Sequence, residues 1–171
     1  FAARAANILL DNSESDGVLE MTLLGVKAYF DEDNVIAITG AEFAPTVTDS
    51  ETGEVTELPM NRAVRVKKGD VLDCGSARSG LRGYLAVAGG FDIATVRGSM
   101  STKLKCKVGC LEGRKPKSSE VLQPSYPQRD LYGQTTRDFE HEQQKAGTDH
   151  VHVSPRQRDE YFQDQRKQTF T

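Results

Sequence analysis

Residues 82–102 read RGYLAVAGGFDIATVRGSMST. An apolar run, Gly83 to Ala88, stops at the pair Gly89-Gly90. Asp92 follows, then Gly98 and a cluster of hydroxyls, Ser99, Ser101 and Thr102. A run of six residues bounded by glycine is too short for a buried helix and suits a buried strand. Around it lie shorter runs of the same type: VLEMTL (18–23), VKAYF (26–30), VIAITG (35–40), RAVRV (62–66) and VLDCG (71–75). Asp16-Gly17, Gly25, the acidic tip Asp31–Asn34, Gly53 and Gly69-Asp70 separate them, all residues that favour turns. Short strands at this spacing predict an all-β sandwich or barrel, with 83–90 as its central strand.

The ends of the chain read differently. FAARAANILLDN (1–12) has Ala2, Ala5, Ala6 and Leu9 at helical spacing, so a helix is expected over 1–10. Arg4 and Asn7 are expected on one face, with Asn12 as a left-handed C-cap. After Leu122 the aliphatic residues nearly vanish, and 123–147 is expected to be a disordered polar linker. HVHV (150–153) resembles a strand. Ser154-Pro155-Arg156-Gln157 resembles a helix start, with Phe162 and Phe170 two turns apart beyond it. Residues 148–171 are therefore expected to begin a second unit of strand plus helix.

Composition excludes several classes. The 171 residues carry a net charge of −3, which does not favour nucleic acid or an anionic membrane surface as a partner. No apolar run is long enough for a membrane-spanning helix. Three cysteines, Cys74, Cys106 and Cys110, are too few and too odd for a disulfide scaffold and suit a reducing cytoplasm. The start at Phe1 shows neither a signal peptide nor an initiator Met, so the chain is expected to begin inside a longer protein.

Catalytic signatures are sparse. There is no phosphate-binding G-x-x-x-x-G-K-[ST] loop and no G-x-S-x-G elbow. His150 and His152 lack a third ligand at metal spacing, so no metal is expected and the pair reads as an exposed strand. Cys106 and Cys110 read as structural thiols. Asp92 could act as a general base or fix a turn through backbone N–H groups, and the turn is favoured. Gly98 through Thr102 offers backbone N–H groups and hydroxyls that could cradle a carboxylate, or equally cap the next turn. Glu42 lies just beyond a strand that ends near Gly40, where sites often form.

Taken in order, these segments resemble one family. Arg4-Ala5-Ala6-Asn7-Ile8-Leu9 resembles its R-x-A-N-x-L helix, and Leu19–Leu23 with Gly25 its L-E-x-T-L-x-G. Ile36–Ala41 through Pro45 resembles I-A-I-T-G-A-x-x-x-P, and residues 82–102 resemble R-x-Y-L-A-V-x-G-G-F/I-D followed by V-x-G-S-x-S-T. This is the pattern of the allophanate hydrolase subunit 2, or biotin-dependent carboxyltransferase, family, which includes KipA and the C subunit of bacterial 5-oxoprolinase. The likeness covers about residues 1–122, as a fragment of the family's length. HVHVSPRQRDEYF resembles the opening of the family's second half more weakly. Arg97 and Met100 stand where the family usually has Leu and Arg. Cys110 replaces a glycine, and Ser118-Ser119-Glu120 replaces a Gly-Asp turn.

The resemblance implies a cyclophilin-like β-barrel with a few short helices, N-terminally incomplete and spanning 1–122. It implies an enzyme subunit of 5-oxoprolinase type, or of the urea carboxylase and allophanate hydrolase carboxyltransferase type. The alternative it carries is a non-catalytic KipA-like regulator of a KipI-type kinase inhibitor. Implied partners are a homologous KipI or subunit 1-type protein, further enzyme subunits and a small amide or carboxylate substrate. ATP or carboxybiotin would act in the full complex, with none bound by this chain alone. The implied substrate-binding set is Glu42, Asp92, Gly98, Ser99, Ser101 and Thr102, presented at a barrel mouth, and no catalytic residue is singled out.

Overall fold

The computed structural model describes residues 1–93, 100, 102, 114–117 and 120–125. The expected linker beyond Ser125, the second unit at 148–171, His150, His152, Cys106 and Cys110 lie outside the described residues. The chain divides after His141, and its second part, Glu142–Thr171, also lies outside them.

One helix and eight strands follow in order: α1 (Ala2–Leu9), β1 (Leu19–Thr22), β2 (Lys27–Tyr29), β3 (Asn34–Glu42), β4 (Thr46–Thr48), β5 (Val55–Glu57), β6 (Ala63–Val66), β7 (Val71–Asp73) and β8 (Ser79–Val87). The mainly β expectation stands. Two antiparallel four-stranded sheets run in the orders β1-β8-β3-β6 and β2-β7-β4-β5. Each strand of the first sheet is joined in sequence to the strand in the same position of the second. The fold is thus one four-stranded sheet creased across its middle. Backbone bonds cross the crease at Gly25 N to Gly75 O (2.8 Å), Cys74 N to Val26 O (3.0 Å), Arg78 N to Glu42 O (2.7 Å) and Leu58 N to Pro45 O (2.8 Å). Two methionine sulfurs lie there as well. Sδ of Met21 accepts from Val26 N (3.3 Å), and Sδ of Met60 accepts from Phe43 N (3.2 Å).

Side-chain parity explains why β3 is buried on both faces. Ile36 and Ile38 join Met21, Val66, Leu72, Leu85 and Val87 in the core between the two halves of the crease. Val35 and Ala37 point the other way and pack with Ala63, Ala86 and Ala88 against Ala6, Leu9 and Leu10 of the helix segment. Alanine on both sides of that second layer lets helix and sheet approach closely. Strand β8, at the centre of its sheet, alternates in the same way, as expected of the most apolar run. It begins at Ser79, four residues earlier than the apolar run itself, because Arg82 still pairs with Thr22 of β1 and Ser79 with Glu42 of β3. Within β3 a bulge separates Gly40 from Glu42. Gly40 has φ +94, and a Cβ there would lie 2.5 Å from the Arg82 carbonyl oxygen, so only glycine fits.

Three expectations are corrected. Asp11 (φ 54), not Asn12, takes the left-handed position after α1. Asn12 N bonds to Asn7 O (3.0 Å) and Asp11 N to Ile8 O (3.2 Å), which is the Schellman pattern with aspartate where glycine is usual. Arg4 and Asn7, one turn apart on α1, do not share an environment. Arg4 pairs with Glu14 at the surface, while Asn7 is 1% exposed. The β4–β5 hairpin was not expected at all. Its runs, TVT and VTE, are short and polar, and its turn is made by Asp49. Backbone N–H groups of Thr52 and Glu51 donate to the Asp49 carboxylate and hold it below the usual range.

Cys74 is the free cysteine of the described residues and is fully buried at the crease. Burial, with the Asp73 charge adding to it, pushes its thiol up to about 11. It is therefore a protonated, inert packing group at neutral pH.

Candidate functional site

Strand β8 ends in a tight turn. Gly90 N donates to Val87 O (3.0 Å), with Gly89 at φ 87 and Gly90 at φ 64. Three asparagines fasten this turn to the helix segment and to β3. Asn12 Nδ2 donates to Val87 O (2.8 Å) and to Asn7 Oδ1 (3.2 Å), and Asn12 Oδ1 accepts from Gly89 N (2.9 Å). Asn7 Nδ2 donates to Asp16 O (2.9 Å). Asn34 Oδ1 accepts from Val35 N (2.7 Å) and Ala88 N (3.3 Å). Amides suit this place because each carries donor and acceptor together and brings no charge into a buried layer.

Beyond the turn the backbone pairs with a distant segment. Asp92 N donates to Gln123 O (2.8 Å), Ser125 N donates to Gly90 O (3.0 Å), and Phe91 forms a β-bridge with Pro124. Phe91 is buried and Asp92 is exposed. The exit of β8 therefore presents one carboxylate on a backbone that is fixed from three sides. Asp92 does not fix the turn with its own side chain among the described residues, and that role falls to Asn12 and Asn34.

Met100 lies at this same end: its Sδ would be 3.4 Å from a Cβ on Gly17, next to positions reached by Phe91 and Ile93. Thr102 is half-buried. Gly98, Ser99 and Ser101 lie outside the described residues. Glu42 is elsewhere. It is opposite Ser79 at the start of β8, on the crease, whereas the Asp92 turn follows Val87 at the other end. Eight residue steps of strand separate those ends, roughly 26 Å. One small ligand cannot touch both, so Glu42 does not group with Asp92.

The segment leading to Gln123 has its own turn. Glu120 N bonds to Lys117 O (3.1 Å) and the Glu120 carboxylate accepts from Lys117 N (2.7 Å). Asp70 and Lys67 make the same two bonds, at 3.1 and 2.9 Å. The likeness of Lys68–Leu72 to Lys117–Leu122 in sequence is thus a likeness of turns, set one residue earlier than the repeated lysine suggests in the first copy. Arg114 clamps Glu120 in a two-pronged pair, both contacts at 2.8 Å. That guanidinium, with the Lys117 N–H, pulls the Glu120 carboxyl down to about 2. A depressed acid stabilises the fold above its unfolded-state pKa and loses that contribution as pH falls through the folded value. The turn should therefore keep its Glu120 cap to about pH 2. In Arg114→Ala the carboxyl should titrate much nearer the ordinary glutamate range, read from its NMR carbon shift. An unmoved midpoint would assign the depression to the backbone alone.

Among the described residues no group of three or more His, Cys, Asp and Glu could hold a metal ion. No helix among them is long and apolar enough to cross a membrane. The three asparagines were legible only as the Asn7 of a motif. Asn12 and Asn34 sit in turns where asparagine is common, and nothing in their spacing says that they meet.

The family described as "Carboxyltransferase domain, subdomain A and B" matches residues 1–171. The chain is 38% identical over 129 residues to the C subunit of 5-oxoprolinase from Escherichia coli (strain K12), covering 75% of this chain and 40% of that protein. It is 35% identical over 122 residues to urea amidolyase of Saccharomyces cerevisiae, covering 71% of this chain and 6% of that one. The crystal structure of the Kluyveromyces lactis urea carboxylase superposes with a TM-score of 0.66 at 34% identity, over 72% of this chain and 10% of that chain. The chain thus spans less than half the length of each.

Proposed function

The chain belongs to the family of carboxyltransferase domains, subdomains A and B, and from that premise we propose that it serves an enzyme that processes a small amide or lactam. The first reading is ATP-dependent opening of 5-oxoproline to glutamate. Carboxyl transfer of the urea carboxylase type is the second, and the 34% identity to the urea carboxylase structure favours keeping it. The observation that carries the proposal is the 38% identity to a 5-oxoprolinase subunit over 129 residues, 75% of this chain.

In this reading the chain contributes one wall of the site. Asp92, with Gly98, Ser99, Ser101 and Thr102 following it, would meet the carboxylate or amide of the substrate. The exposure of Asp92 on a rigid turn supports this, as does the position of Met100 at the same end. Glu42 is left out because it lies on the crease. The turn does not fit ATP or carboxybiotin. Its N–H groups at Gly89, Gly90 and Asp92 are already given to Asn12, Val87 and Gln123, which leaves that of Phe91 alone, too few donors to cradle a phosphate or a ureido ring. The nucleotide or biotin chemistry is assigned to other subunits or domains, among them a homologous subunit 1-type protein. A cytoplasmic setting suits the sparse cysteines.

The test is reconstitution. ATP hydrolysis should rise with 5-oxoproline only when the full-length protein and its partner subunits are both present. Biotin-dependent carboxylation of urea is the second arm. Absence of both activities from a folded, assembled complex rejects the proposal. Ser99→Ala with Ser101→Ala should weaken 5-oxoproline binding by calorimetry. Wild-type affinity and turnover in that double variant would place the site elsewhere on the fold.

A further inference from the structure

The second sheet has an outer face that no described residue covers. Leu72, Ala28 and Val47 point into the core, so Lys27 and Tyr29 of β2, Val71 and Asp73 of β7, Thr46 and Thr48 of β4, and Val55 and Glu57 of β5 point outward. The registers align these eight in two rows. One is Tyr29–Val71–Thr48–Val55 and the other Lys27–Asp73–Thr46–Glu57. The first row is apolar but for the Tyr29 and Thr48 hydroxyls, and its end members are 61% and 62% exposed. The second is positive at one end and negative at the other. Lys27 leans on Asp73 at 3.6 Å, while Glu57 has no partner among the described residues.

The geometry points to a second copy of this chain as the occupant of that face, bound about a two-fold axis parallel to the strands. Such an axis keeps each row on its own kind and reverses the strand order, so β2 lies over β5 of the other copy. Tyr29 then covers Val55 and Val71 covers Thr48. Lys27 meets Glu57 at both ends of the interface, and Asp73 meets the neutral Thr46. The other two-fold in the plane of the sheet, perpendicular to the strands, sets the apolar row on the charged one and buries Asp73 and Glu57 against apolar neighbours. Only the first is self-complementary, which is what an isologous contact requires. Sheets packed face to face are rotated by about 30°, and the flexible Lys27 stem absorbs the offset at the corners. Eight residues a side is well under the 20–30 of a standard interface, so the dimer is weak, with Kd between about 10 μM and 1 mM.

Sedimentation equilibrium of the full chain over that range tests it. The wild type should dimerise, and less so at high salt. Lys27→Glu and Glu57→Lys should each weaken dimerisation about tenfold or more. The double variant, Lys27→Glu with Glu57→Lys, should restore it, because the two residues are three strands apart in one chain, roughly 14 Å, and meet only between chains. Unchanged circular dichroism shows that each variant folds. Tyr29→Arg should abolish the dimer without touching the charged row. A chain that stays monomeric at about 1 mM, a dimer indifferent to the single reversals, or a double variant that fails to recover overturns the proposal.

Discussion

Gly90→Val should cost about 3 kcal/mol and lower the melting temperature by roughly 10 °C. Two effects add. Gly90 has φ +64, a region that costs an L-residue about 1–2 kcal/mol and a β-branched one more. A Cβ there would also lie 3.1–3.2 Å from Cβ, Cγ and Oδ2 of Asp16. Asp16 cannot simply move away. Its carboxylate accepts from Ser13 N (3.0 Å), and its carbonyl oxygen accepts from Asn7 Nδ2 (2.9 Å). Displacing it disturbs the loop that ties the helix to β1. Gly90→Asn should cost less, since asparagine tolerates the left-handed region. Thermal melts of the three proteins check this. Equal melting temperatures for wild type and Gly90→Val would mean that the turn adjusts freely and that its bonds to Asn12 hold nothing.

Much of this fold could be read from the sequence, and what could not has physical reasons. Strands β1, β2, β3, β6, β7 and β8 carry aliphatic residues into a core, and that burial leaves alternation or continuous apolar runs to be seen. The β4–β5 hairpin buries little beyond Val47, so its sequence carries no such mark. The crease is not written in any one run either. It emerges because consecutive strands occupy matching positions in the two sheets, a property of pairing and not of pattern. At the site, Gly89-Gly90-Phe91-Asp92 announced a turn, and a turn is there. The grouping of Glu42 with it failed because "just beyond a strand tip" does not say which end of the sheet the tip is on. In an antiparallel pair, neighbouring strands finish at opposite ends, and β3 and β8 do so here. The left-handed residue after α1 went to Asp11 and not Asn12. Asn12 is worth more as a side chain that reaches β8 than as a backbone cap.

Asn12 is the residue on which the β8 exit depends, and Asn12→Ala should cost about 2–3 kcal/mol. The substitution deletes three hydrogen bonds and leaves the Val87 carbonyl oxygen, the Gly89 N–H and the Asn7 Oδ1 without that partner. Asn12 is only half-buried, so water can reach part of the vacated place and keeps the loss from being larger. The coupling partner is Asn7. In a double-mutant cycle Asn12→Ala and Asn7→Ala should be less than additive, since the first already removes one bond to the second. Asn12→Asp separates geometry from polarity. The shape is unchanged and the bond from Gly89 N–H is kept, but a carboxylate would then face two acceptors, Val87 O and Asn7 Oδ1. Its charged form is disfavoured there, so the pKa of the introduced carboxyl rises in the folded state above its unfolded value. The sign follows from that rise: the variant is most stable where the carboxyl is protonated and loses stability as pH increases through the unfolded and then the folded pKa. Urea denaturation at pH 4 and pH 7 should therefore show a larger deficit against wild type at pH 7. An equal deficit at both values would mean that the side chain turns out to solvent, and that the β8 exit is held by Asn34 and the backbone bonds to Gln123 and Ser125 instead.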